Sequence, residues 1–207
     1  METKPSPKSQ WISPNYTAQH WQNLNLDPDK PDEKQWTKAA DILKDRIEGR
    51  FLEPAKSLIE AEEGKSRRTY GFAILALDFL VIETIEGFRK GLPDHNGESK
   101  KLFRSFLPAW KPFQDSVPVE ADREAQSTKL YENGRCALHH SGSTDFIAVG
   151  ISGKVLEFSE GLIRINRNAF HQGLVEEFNR FIDAIKTPGN PDLRRNVKTK
   201  MDAICQK

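Results

Sequence analysis

"GFAILALDFLVIETIEGFR", residues 71–89, is the stretch on which the fold turns. Phe72, Leu75, Phe79, Leu80, Ile82, Ile85 and Phe88 run nearly all the way round a helical wheel. That pattern predicts a helix from Tyr70 to Arg89 at the centre of a bundle. Three carboxylates, Asp78, Glu83 and Glu86, fall within it. A membrane span of this length does not carry three acids, so the expected setting is the core of a soluble protein. A carboxylate buried there needs a partner.

Working outward, Ala40, Leu43, Ile47, Phe51, Leu52, Ala55, Leu58 and Ile59 recur at spacings of three and four upstream. Pro54 lies inside this run and predicts a kink or two consecutive helices. Residues 1–35 are polar and proline-punctuated and are expected to form a loosely ordered arm, docked by Trp11, Tyr16, Trp21 and Trp36. No apolar signal segment is visible in this arm. Downstream, "KGLPDHNGESKK" ends the central helix, "LFRSFL" starts a short one, and "PAWKPFQDSVPVEA" carries the chain to Asp122. Asp122 is the expected N-cap of a helix from about Arg123 to His140.

The pattern then switches to strands: "DFIAVGI", "KVLEF" and "GLIRIN", with "SEG" as a tight turn between the last two, which predicts a small hairpin or three-stranded flap. Phe170, Leu174, Val175, Phe178, Phe181, Ile182 and Ile185 form the stripe of a second strong helix. Asn190 and Pro191 open a last one carrying Leu193, Val197, Met201 and Ile204. The expected fold is a mainly α-helical bundle with a small β-hairpin insertion before the C-terminal helices. Its boundaries are a single domain over 36–207, with a core of about 36–145, a hairpin of about 145–167 and C-terminal helices of about 168–206.

With 31 basic and 30 acidic residues the net charge is +1, which excludes a strong electrostatic footprint for duplex DNA. Two cysteines, Cys136 and Cys205, are too few for a disulfide framework and fit a reducing cytoplasm. No glycine-rich phosphate loop occurs. Cys136, His139 and His140 are neighbours, but no second cluster stands at a metal-site spacing, so neither a metal nor any other cofactor is expected. Cys136 is followed by alanine and leucine and is expected to act as a small buried hydrophobe rather than a nucleophile. The run "EGKSRR", residues 63–68, is either a solvated linker or a contact for RNA phosphates.

"LYENGRCALHHSGST", residues 130–144, sets an arginine and two histidines at the end of the expected helix. Taken alone, the histidines can simply complement the helix dipole and Arg135 can pair with a carboxylate. The segment also resembles the signature of the HEPN superfamily, small helical domains that share an arginine, four to six residues of any kind, and a histidine. Arg135 followed by Cys136, Ala137, Leu138, His139 and then His140 has the shortest form of that spacing. The preceding "ALDFLVIETIEGFRKG" is similar too, and the likeness covers roughly residues 36–145. The chain departs from the pattern at Cys136, where many active members carry a polar residue, and at Gly142, where some toxin-type members carry tyrosine.

The resemblance implies a homodimer with two copies of the motif in one cleft, and metal-independent cleavage of RNA by a toxin or a defence or stress effector. It implies, as the alternative, a non-catalytic module that binds a protein partner, such as an antitoxin, or nucleic acid. In the catalytic case Arg135 would hold the phosphate in a bidentate fork, and a histidine would move the proton. Helical geometry places His139 on the face of Arg135 and turns His140 away by about 140°. The family spacing instead implies His140 for proton transfer, with His139 as a neighbour that orients it or touches phosphate. Glu83, or else Asp78, is the expected carboxylate partner of Arg135. For Glu86 the simpler expectation is a solvent-exposed pair with Lys90.

Overall fold

The computed structural model describes residues 10–142 and 146–206. Residues 1–9 of the expected arm lie outside them, as does Asp145, with which the first expected strand begins. The described chain is mainly helical, with a small sheet before the C-terminal helices. The helices before the sheet are α1 (Ala18–Gln22), α2 (Glu33–Ile47), α3 (Glu53–Glu60), α4 (Gly71–Arg89), α5 (Ser99–Ala109), α6 (Lys111–Ser116), α7 (Arg123–Leu130) and α8 (Ala137–Ser141). Strands β1 (Ile147–Gly150), β2 (Leu156–Ser159) and β3 (Leu162–Asn166) follow, then α9 (Arg167–Lys186) and α10 (Pro191–Cys205). Among the described residues no helix is long and apolar enough to cross a membrane.

The described residues divide into two compact units: those within 1–50, 87–95 and 178–207 make one, and those within 51–86 and 96–177 make the other. In the first, the expected arm is partly folded. Ile12 and Trp21 are buried, and the Trp21 indole donates to Asp202 Oδ1 at 2.7 Å. Arg194 is almost fully buried because its charge is met: it donates to both Glu33 oxygens at 3.0 and 2.6 Å and lies 5.1 Å from the Trp36 ring centre.

The second unit is built around α4. The Phe79 ring meets Phe103 and Phe170 edge-on at 5.4 and 5.8 Å between centroids, and Phe170 meets Trp110 at 4.9 Å. Trp110 belongs to the stretch "PAWKPFQDSVPVEA", expected as a connector. The structure forms α6 there, because Pro112 sits at the start of a helix, where a missing N–H costs nothing. Near Pro54 two helices are indeed consecutive, joined by a π-helical turn over Glu48–Leu52.

Two features go beyond what the sequence pattern gives. The sheet has the order β1-β3-β2, so the expected hairpin is β2 with β3, antiparallel, and β1 runs parallel to β3 in the register Ile147↔Ile163. The helix expected from Arg123 to His140 is interrupted by a π-helical turn over Tyr131–Cys136. Gly134 lies in this turn. A Cβ there would stand 2.9 Å from Ile147 Cδ1 and 3.2 Å from Phe79 Cε2, so any larger residue would have to displace the tip of Ile147 and press on the Phe79 ring.

Glu62, 2% exposed, ties the start of α4 to the start of α9. Its Oε1 accepts from the Thr69 and Tyr70 amides, and its Oε2 pairs with Arg167. Burial by itself would raise its pKa, but those two amides and the guanidinium outweigh it and hold the carboxyl at about 2, down from 4.5. The folded pKa is the lower one, so the stabilisation is present above the ordinary value and is lost as pH falls towards the folded one. Glu62→Gln is expected to lower the urea midpoint at pH 7. The difference from wild type should shrink as pH falls from 4.5 towards 2. An unchanged midpoint at pH 7 would contradict the role given to this carboxylate.

Candidate functional site

Arg135 lies in the π-helical turn, one residue beyond the close approach of Gly134 to α4. Its Nε donates to Glu83 Oε1 at 2.5 Å, and its Nη2 reaches Glu83 Oε2 and Ser99 Oγ, both at 3.3 Å. Ser99 in turn donates its hydroxyl proton to Glu83 Oε2 at 2.8 Å, closing a three-membered network. The Arg135 side chain is 17% exposed and that of Glu83 5%. Burial disfavours the arginine's charge, but its hydrogen bonds to Glu83 and the carboxylate charge outweigh this, and its pKa rises. The guanidinium lies 5.9 Å from the Tyr131 ring centre.

The guanidinium is held along one edge only. Nη1 makes no hydrogen bond among the described residues, and it is not among the buried polar atoms left without a partner. The two N–H groups of Nη1 are therefore available to an anion arriving from solvent.

His139 and His140 follow on α8 and are both exposed. Gly142, with φ of 66°, ends that helix in the left-handed conformation, and its amide donates to Leu138 O at 3.2 Å. The pKa of His139 is lowered, first by desolvation and then by the positive charge of Arg135, against a smaller pull from Glu83. Desolvation and the positive charge of Arg135 thus favour the neutral form of the His139 imidazole.

The three acids of α4 have three different surroundings. Glu83 meets Arg135. Asp78, fully buried, is placed instead against His171 of α9, with Oδ1 2.8 Å from Nδ1. Burial raises the Asp78 pKa against the opposing effect of His171. Residues 78 and 83 are five apart, so their side chains leave α4 about 140° apart, and one helix face cannot bring both to Arg135. Glu86 is buried rather than exposed and accepts from the Ser105 hydroxyl at 2.7 Å. Cys136 is partly exposed rather than sealed in the core. Tyr131 has its pKa pushed up to about 12, chiefly by burial and by a hydrogen bond with Cys136.

Ser99 is the member of the network that the sequence does not announce. It stands sixteen residues from Glu83 at the first position of α5, and no periodicity marks a hydroxyl that meets a carboxylate of another helix. Among the described residues no three or more His, Cys, Asp or Glu side chains converge as a metal site requires. Compared with known proteins, the chain matches no family model, no curated protein and no solved structure.

The electrostatic link between Arg135 and His139 is open to measurement. In a proton NMR titration the His139 imidazole is expected to titrate below 6.5. Arg135→Gln removes the neighbouring cation and leaves Glu83 uncompensated, so the same resonance should move to higher pKa. No movement would show that the two side chains do not sense each other.

Proposed function

We propose that this chain is a metal-independent endoribonuclease of the HEPN type, acting on RNA as a homodimer with two copies of the motif in one cleft. The observation that carries the proposal is the half-held guanidinium of Arg135. Its Nε and Nη2 are fixed by Glu83 and Ser99, its Nη1 is open, and two exposed histidines lie four and five residues on. Cleavage of RNA without a metal needs three things that this arrangement offers. A fixed cation stabilises the extra negative charge on pentacoordinate phosphorus, and Arg135 is oriented for it without reorganisation. A base takes the 2′-hydroxyl proton, and an acid protonates the leaving oxygen. His140, at the spacing that the HEPN resemblance implies, is assigned the proton transfer. His139, biased towards the neutral form beside Arg135, can accept a proton or orient its neighbour.

Glu83 and Ser99 act as positioning residues. They consume one edge of the guanidinium and aim the other, much as outer partners orient a catalytic histidine or a metal ligand.

A second function fits one specific observation. Arg135 spends both Nε and Nη2 on its own chain, as a purely structural arginine does. In that case the domain is a non-catalytic module that binds a protein partner or nucleic acid.

The deciding assay is cleavage of total RNA in the presence of EDTA, comparing wild type with Arg135→Ala, His139→Ala and His140→Ala. The expected outcome is products with 2′,3′-cyclic phosphate ends, with losses on the order of 100-fold or more for Arg135→Ala and His140→Ala. His139→Ala is expected to lose less. The reverse ranking of the histidines would transfer the proton-transfer role to His139. Cleavage unchanged in both Arg135→Ala and His140→Ala would overturn the assignment, and no cleavage by a folded wild type would favour the binding module.

A further inference from the structure

A cavity of about 390 Å³ opens at the N-terminal end of α4, lined by Arg68, Gly71, Phe72, Gly150, Ile151 and Arg167 among others. Gly71 and Glu83 are twelve residues apart on α4, so this end of the helix is about 18 Å from the Arg135 network. The cavity is therefore a separate place on the molecule, and nothing proposed above for Arg135 involves it.

Its chemistry selects for an anion. A helix of nineteen residues starts here, with the positive end of its dipole and its first amides at the cavity. Glu62 takes the amides of Thr69 and Tyr70, and the next two residues, Gly71 and Phe72, form part of the wall. Gly71 packs so closely on β1 that a Cβ would lie 2.7 Å from Val149 Cγ1, which keeps the helix start bare of side chain at this point.

Arg167 supplies the second and independent observation. Its side chain is 3% exposed, and it lines the cavity. Nη1 touches Glu62 Oε2 as an ion pair but off the line of a hydrogen bond. Both Nε and Nη1 are buried without a hydrogen-bond partner among the described residues. Those two nitrogens face the protein, Nη1 against Glu62; Nη2 makes no hydrogen bond among the described residues and is not among the buried polar atoms without a partner, so it is the edge of the guanidinium that meets the cavity. Glu62 and Arg167 cancel in charge, so the exposed Arg68, which makes no ion pair among the described residues, leaves the mouth positive.

We propose that this cavity binds a phosphate group, held by Arg167 and Arg68 and by the amides at the start of α4. The run "EGKSRR" thereby gains a defined role through its last residue, Arg68. Arginine forks and helix-start amides are the donors best matched to a tetrahedral oxyanion. The size of the cavity leaves room for more than the phosphate itself, and Phe72 and Ile151 offer an apolar wall to whatever carries it.

The test uses the full chain labelled with ¹⁵N, titrated at constant ionic strength with inorganic phosphate, with adenosine 5′-monophosphate and with the diester ApA. Saturable shifts of the Gly71, Phe72 and Gly150 amides are expected. A response to the first two probes alone would identify a terminal phosphate as the ligand, and a response to all three a backbone phosphate. Arg68→Glu and Gly150→Glu each place a carboxylate at the mouth, and the space around Gly150 is open, with nothing within 4 Å of an added Cβ. Each should weaken binding roughly ten- to a hundredfold, Arg68→Glu by losing a charge-assisted hydrogen bond and both by setting a like charge beside the phosphate. Arg68→Gln serves in place of either variant whose spectrum shows a loss of fold. No saturable shift with any of the three probes, or affinities equal to wild type in the folded variants, would overturn the proposal.

Discussion

One ion pair organises the candidate site: the guanidinium of Arg135 against the carboxylate of Glu83, with the Ser99 hydroxyl completing the contact. A largely buried carboxylate on α4 has to be paired, because an isolated charge there would be strongly penalised. Pairing it with an arginine from the π-helical turn satisfies Glu83. It also fixes the orientation of a side chain that would otherwise sample many rotamers. Among the described residues the same contact leaves Nη1 unengaged. One side chain thus meets a structural demand and keeps a donor edge open, an arrangement compatible with both functions proposed above.

The other acids obey the same constraint with different partners. Asp78 is met by His171, Glu86 by Ser105, and Glu62, just before α4, by two amides and Arg167. Each carboxyl has a polar partner from another part of the chain, so polar satisfaction acts in the second unit beside aromatic packing around Phe79. Gly134 links the two effects. Its missing side chain lets the turn rest on Phe79 and Ile147, and Arg135 is the next residue.

Much of this was legible in the sequence. The all-round apolarity of residues 71–89 marks α4 as central, and the embedded acids announce that partners must exist. The strand pattern of residues 146–166 and the stripes of α9 and α10 were equally plain. What stayed hidden depends on tertiary proximity. Periodicity cannot show that Asp78 meets His171 while Glu83 meets Arg135, because that choice depends on which helix lies against which face. It cannot reveal the π-helical turn either, since "YENGRC" reads as ordinary helix. The parallel pairing of β1 with β3 escapes local patterns for the same reason.

The most direct measurement is a double-mutant cycle on the central pair, with Glu83→Gln, Arg135→Gln and the double variant compared by urea unfolding at neutral pH. If the pair anchors the site, the single substitutions are strongly non-additive, with a coupling energy of about 1–3 kcal/mol. Additive effects, with coupling near zero, would mean that Glu83 does not hold Arg135, and the account of a guanidinium fixed on one edge and open on the other would fail.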